Sequence, residues 1–288
     1  MTRSVARFSY VCATLAALGA LVDVPAARAV VIDFEAPTYA TSGILGQQGW
    51  GTPSYAPTLN GTLEVSTVAP LAGSQSLRYA RTDSNLGPFT AADVTQANVA
   101  TVAKDGTSAA DLNVSFLISS SSLAAQGFGY GVTGLFLSPD GPGGMTPFGM
   151  RLMNAGSTIP SIELFGSVGG VGGWHYFGGS LAAAAFPENE TLEFDFDVDF
   201  DSSSYLVSYR NVTTNGAFTA PVGPFDFVNA FPADSSGHYS IDVIASFRFG
   251  AGQLDNVTLT GNLVPEPATA GLGLLALGAI AAIRRRVK

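Results

Sequence analysis

Residues 30–263 predict an all-β domain, an antiparallel β-sandwich, and three observations carry that expectation. Short alternating or apolar runs follow one another, separated by Gly, Pro and Asn turns. No amphipathic helix of convincing length interrupts them. Gly, Ser, Thr, Ala and Asn are abundant while Lys is nearly absent, and the span suits one sizeable β domain with no internal repeat.

The chain opens with Arg3 and Arg7, an apolar run from Phe8 to Val22, and Ala27-Arg28-Ala29. That order reads as a secretory signal peptide over 1–29, with Val30 the first mature residue. Cys12, the one cysteine, leaves with it, so neither a disulfide nor a thiolate metal site is expected in the mature protein. Strands are expected at Val30–Glu35, Thr62–Val68, Ser76–Ala80, Asp111–Ser119, Gly131–Leu137, Gly149–Met153 and Ser161–Phe165. Four more follow at Thr191–Phe200, Ser204–Arg210, Tyr239–Phe249 and Gln253–Thr260. Pro139–Pro147 reads as a long loop, Gly166–Gly179 as a Gly-rich loop, and Leu181–Ala185 as a short helix.

Val264–Lys288 is a separate tail. Pro265-Glu266-Pro267 removes backbone donors and holds the chain extended, so a helix starts only after it. The uncharged run Ala268–Ile283 would span roughly 24 Å as a helix, a short transmembrane segment. Arg284, Arg285, Arg286 and Lys288 then close the chain as a cytoplasmic basic cluster.

The motif, the apolar helix and the arginine cluster, in that order, resemble the PEP-CTERM sorting signal of exported bacterial proteins. The resemblance covers about the last 25 residues and implies an exosortase partner that cuts near the motif. Family members are often associated with exopolysaccharide and biofilm matrix. It therefore implies transient membrane anchoring, then a cell-surface or extracellular location.

Charge agrees with life outside the cell. Of 13 basic and 22 acidic residues, removing 1–29 and 264–288 leaves 6 and 20. So acidic a domain is a poor partner for nucleic acid or anionic lipid; it favours solubility and divalent cations.

Glu193–Asp201 (EFDFDVDFD) alternates completely, so Phe194, Phe196, Val198 and Phe200 face the core and the acids face away. Glu193, Asp195 and Asp197 resemble the acidic motif of jelly-roll glucanases, which implies nucleophile, helper and acid roles. That family's pattern ends in Glu where this chain has Asp197, and no Trp-rich run flanks it. A solvated outer face is the simpler reading of the same alternation.

The domain's two ends, Val31–Glu35 and Leu254–Leu259, with GILGQQGW at 43–50 and VDFDSSSYLVSY at 198–209, resemble concanavalin A-like and carbohydrate-binding jelly rolls. The resemblance implies neighbouring first and last strands and a structural calcium held by Glu35 and Asp255. The alternative for Asp255-Asn256 is a plain turn before the last strand. Among aromatics outside the expected core (Trp174, Tyr176, Tyr239, Tyr55), Trp174 and Tyr176 are the candidate sugar-stacking residues; Trp50 is expected to pack. His175 and His238 lack zinc-site spacing, no Gly-x-Ser-x-Gly elbow occurs, and GSVGGVGG at 166–173 lacks the Lys of a phosphate loop. The reading is an exported, non-enzymatic surface or matrix protein that binds exopolysaccharide. Its alternatives are a glycoside hydrolase or lyase of the same fold, or a purely structural surface protein.

Overall fold

Alternating side chains become antiparallel strands wherever one face finds a core. The computed structural model describes residues 29–52, 62–80, 92–107, 109–121, 131–139, 148–154, 161–168, 171–176, 189–228, 233–248 and 251–264. The expected signal peptide up to 28, Tyr55, the expected helix at Leu181–Ala185 and the tail from 265 lie outside these residues, as does the loop expected at Pro139–Pro147 apart from Pro139, which ends a strand.

Among the described residues no helix occurs. The strands are β1 (Val30–Ile32), β2 (Trp50–Gly51), β3 (Thr62–Ser66), β4 (Ser76–Ala80), β5 (Ala92–Ala103), β6 (Leu112–Ser121), β7 (Gly131–Pro139) and β8 (Phe148–Asn154). They continue with β9 (Ser161–Val168), β10 (Val171–Tyr176), β11 (Thr191–Asp199), β12 (Ser204–Asn211), β13 (Val222–Asp226), β14 (His238–Arg248) and β15 (Ala251–Gly261). Hydrogen bonding joins them in the order β2-β5-β14-β7-β8-β9-β13-β12-β11-β6-β15-β4-β3, with β1 on β15 and β10 on β9.

Aromatic contacts show that this long sheet folds over on itself. Phe148 on β8 meets Phe196 on β11 and Tyr205 on β12, at ring separations of 6.5 and 5.3 Å. Tyr79 on β4 stacks with Phe247 on β14 at 5.4 Å. One half (β3, β4, β15, β6, β11, β12) thus faces the other (β9, β8, β7, β14, β5), and a single core fills the space between. β11 supplies that core from alternate positions. Phe194, Phe196 and Val198 are buried, and each buried side chain of this size contributes roughly 1.5–3 kcal/mol.

Every expected strand is present, Ser76–Ala80 with the same ends and the others with shifted ones, and four strands are additional. β10 lies where a Gly-rich loop was expected: Val171–Tyr176 pairs back on β9 from Val168 to Glu163. Its ladder needs only backbone, which glycines supply as well as any residue. β5 is poor in large apolar residues and carries a bulge, Gln96 to Ala100 facing Val243 to Ile241. β2 and β13 are too short for alternation to reveal. Tyr239, expected outside the core, is buried and stacks on Phe200 at 4.5 Å. Trp50 packs as expected and donates its indole N–H to the Tyr39 hydroxyl.

Candidate functional site

The first and last strands do lie side by side: Val30, Val31 and Ile32 pair with Leu259, Thr258 and Val257. β15 uses the same edge to pair β4 through residues 251–254. Between these two partners sits a bulge, with Asp255 opposite Leu117 and Thr258 opposite Ser115, and Asn256 at φ 49°. The turn considered for Asp255-Asn256 is therefore a bulge inside the strand. It breaks the alternation, so Leu254 and Asp255 are both buried, Asp255 at 1% exposure.

Asp255 and Glu35 grip the same loop from two sides. Asp255 accepts the Ala72 and Asn256 N–H groups at 3.0 and 2.8 Å. Glu35 accepts the N–H groups of Ser74 and Gln75 at 2.6 and 3.0 Å and also the Ser74 hydroxyl. Those donors, the Ser74 hydroxyl first, hold the Glu35 carboxyl below its usual range. Burial pushes Asp255 the other way, up to about 7; the negative charges of Glu35 and Asp33 add to the rise, and its two N–H donors oppose it.

The acidic strand faces outward, as its alternation implies. Glu193 is ion-paired with Arg210, whose Nε and Nη2 approach to 2.6 and 2.5 Å. Asn113 donates its side-chain amide to both Asp195 (2.6 Å) and Asp197 (3.1 Å). Partial burial raises the Asp195 carboxyl, with Asn113 opposing and Asp197 and Glu193 reinforcing. Asp197 is exposed on the same face.

The outer face of the other half differs in one respect: several of its polar side chains are buried. On β14, Asp242, Ile244 and Ser246 alternate with the core residues Val243, Ala245 and Phe247, so they point away from the core. Yet Ser246 and Asp242 are each 5% exposed, as is Asp93 on β5, and Glu163 on β9 is 3% exposed. The Ser246 hydroxyl donates to Asp93 at 2.6 Å, and Asp242 accepts the N–H of Asn98 at 2.7 Å. Register carries this row across the sheet: Asp93, Ser246, Gly134, Arg151, Glu163 and finally Tyr176 on β10. The neighbouring row runs Thr95, Ile244, Phe136, Gly149, Phe165 and Trp174. Trp174 and Tyr176 therefore stand in register with Phe165 and Glu163, on a strand instead of a loop tip. Sequence reading singled out none of Asp93, Glu163, Asp242 and Ser246. A Ser or Asp alternating with Val and Phe looks like a solvated outer position, and its burial depends on the surroundings of the sheet.

A third group of acids gathers at the base of β6. Carboxylate oxygens of Asp105, Asp111 and Asp201 lie within 4.8 Å of one another. Buried Asp111 accepts the Asp105 and Phe200 N–H groups at 3.0 and 2.9 Å and the Asn262 amide at 3.2 Å. Asp201 accepts the Gly106 N–H at 2.8 Å and faces Lys104 at 3.4 Å. These contacts tie the β5–β6 connection to the ends of β11 and β15, so the cluster has a structural role in hand.

No curated protein sequence matches the chain. Among solved structures it is similar to lectin II from Ulex europaeus, with 10% identity over 81% of this chain and 97% of that one and a TM-score of 0.47. It is also similar to peanut lectin with a 9mer peptide, with 11% identity over 83% and 100% and a TM-score of 0.44. A sialidase gives 13% identity over 77% of this chain and 18% of that one, at a TM-score of 0.41. Residues 263–286, with Pro265-Glu266-Pro267 at their start and Arg284–Arg286 at their end, match the PEP-CTERM protein-sorting motif, and the chain carries that motif.

Proposed function

We propose that this is an exported, non-enzymatic cell-surface or extracellular-matrix protein whose β-sandwich binds polysaccharide on the outer face of β9, β8, β7, β14 and β5. The observation that carries the reading is the row of buried polar residues on a sheet face that is not the core. Polar side chains turned away from the core, on the same register rows as a Tyr and a Trp, are the kinds of group that meet a sugar's hydroxyls and C–H faces. The sorting motif supports delivery: a leader over 1–29 would export the chain, and an exosortase would cut near Pro265-Glu266-Pro267 and free residues 30–263 from the apolar segment and Arg284–Arg286. Mass measurement on secreted protein tests this, since a retained arginine cluster would refute it.

Calcium fits the point where β15 changes partner. Asp33, Glu35 and Asp255 repel one another there, and the buried Asp255 holds its proton to about neutral pH. An oxygen-preferring divalent cation would relieve both. Glu35 and Asp255 would hold it together with backbone carbonyls, and its contribution would be to clamp the first strand to the last.

The test of binding is retardation of the purified protein in affinity gels containing neutral or acidic polysaccharides, including that of the host. At least one should retard it without release of reducing sugar. Trp174→Ala or Tyr176→Ala should weaken retention about fivefold to tenfold, the loss of one aromatic contact. Retention by none of them would refute the reading, and turnover that vanishes in Glu193→Gln would establish the glycosidase alternative.

A further inference from the structure

We propose that the outer face of the opposite half-sheet carries a second ligand site, for a carboxylate-bearing sugar unit, with Arg78 as its anion contact. A groove of about 300 Å³ opens there, across β4, β15, β6 and β11. This is the lower end of the range for small-molecule sites, the scale of a few sugar units. One wall is the loop Val68–Leu71, and the floor is the cross-strand row Arg78, Gln253, Ser119 and Thr191, with Asn189 at its end.

Arg78 stands apart from Lys104 and Arg210, the other cations whose side chains are among the described residues. Lys104 faces Asp201 and Arg210 faces Glu193. Arg78 is half-buried and forms no ion pair among the described residues, even with Glu64, its register neighbour on β3. A guanidinium fork in a groove otherwise lined by neutral groups is built for a planar carboxylate. Ser119, Thr191 and Asn189 offer hydroxyl and amide partners for ring hydroxyls, while Val68 and Pro70 give an apolar wall for the ring's C–H face.

The wall is fixed in advance. The Gln253 amide donates to the Val68 carbonyl at 3.0 Å, the Ser76 hydroxyl accepts the Leu71 N–H at 3.2 Å, and Glu35 and Asp255 hold residues 72–75. A groove with a pinned rim loses little conformational entropy when it binds. The site lies on the opposite half-sheet from the Trp174–Tyr176 rows and does not depend on them.

Isothermal titration of the full chain in mild detergent tests the assignment with a polyuronate hexamer, a glucose hexamer and acetate. The hexauronate should bind with an affinity that falls as salt rises, and at least about tenfold more tightly than the glucose hexamer. Arg78→Gln should remove that preference, and Arg78→Lys should restore only part of it. Thr191→Val, an exposed-face change with no core consequence, should weaken the hexauronate about threefold to tenfold. Equal binding of acidic and neutral hexamers, or an unchanged preference in Arg78→Gln, would overturn the proposal. Acetate competing as well as the hexamer would overturn its sugar part. Loss of the acidic preference in Arg78→Gln with retained binding of neutral glycan would support this groove as the acidic site, separate from the face that carries Trp174 and Tyr176.

Discussion

Gly73→Ala probes whether the Glu35 grip on the 72–75 loop stabilises the fold. Gly73 sits at φ +55°, and a Cβ there would lie 2.1 Å from the Glu35 Oε1 and 2.8 Å from its Cδ. The left-handed backbone alone costs an alanine about 1 kcal/mol relative to glycine. The carboxylate must also swing away, releasing the N–H groups of Ser74 and Gln75 and the Ser74 hydroxyl. Charge-assisted bonds are worth about 1.5–3 kcal/mol each when buried, but this site is half-exposed and water can replace them, so about 1–2 kcal/mol in all is the fair figure. Gly73→Ala should then cost about 2–3 kcal/mol in urea unfolding. In a Glu35→Ala background the clash and the grip are already gone, and only the backbone term of about 1 kcal/mol should remain. The two substitutions should therefore couple by about 1–2 kcal/mol. Additivity to within about 0.5 kcal/mol would mean that Glu35 is not holding the loop.

Asp111→Ala should cost about 3 kcal/mol or more by thermal or urea unfolding, because it leaves the N–H groups of Asp105 and Phe200 without their buried acceptor; a loss under about 1 kcal/mol would contradict that role. Asp255 sets a pH dependence opposite to that of most acids: its folded value of about 7 lies above the unfolded 3.8, so the folded state holds a proton that the unfolded state has lost. With chelator present, stability should be full below about pH 4 and fall as pH rises to about 7, by on the order of 4 kcal/mol, and Asp255→Asn should flatten that slope in urea melts at successive pH values. Calcium at about a hundredfold excess over its dissociation constant should add about 2.7 kcal/mol at pH 8, a gain that Asp255→Ala should abolish in the same melts.

Architecture was legible in the sequence wherever packing wrote a period into it. EFDFDVDFD announces a strand with one aromatic face, and Phe194, Phe196 and Val198 are core. β10 was not legible, because VGGWHY has no polar–apolar alternation and carries two adjacent glycines; its strand character comes from the ladder to β9. The pairing of the first strand with the last was legible, yet the burial of Asp255 depends on a bulge whose local sign is Asn256. The buried row of Asp93, Glu163, Asp242 and Ser246, and Arg78 with no ion pair among the described residues, belong to the pairing order of distant strands. No local window of sequence contains that order.

The acidity of the domain has a structural reason beyond solubility. Where strands end or change partners, backbone N–H groups lose their ladder, and each must find another acceptor. Here carboxylates supply it repeatedly. Asp255 and Glu35 serve the loop before β4, and Asp111 serves the connections at the base of β6. Asp199 takes the N–H groups of Asp201 and Ser202, and Asp234 takes those of Ser236 and His238. A carboxylate accepts several donors at once and needs no proton of its own, which a Ser or Asn cannot match in so short a side chain. Lysine has no equivalent use at such places, since an ammonium only donates. A loop-rich sandwich that caps its connections in this way accumulates negative charge as a by-product. Against that background Arg78, which forms no ion pair among the described residues, is the departure that the proposed acidic ligand would answer.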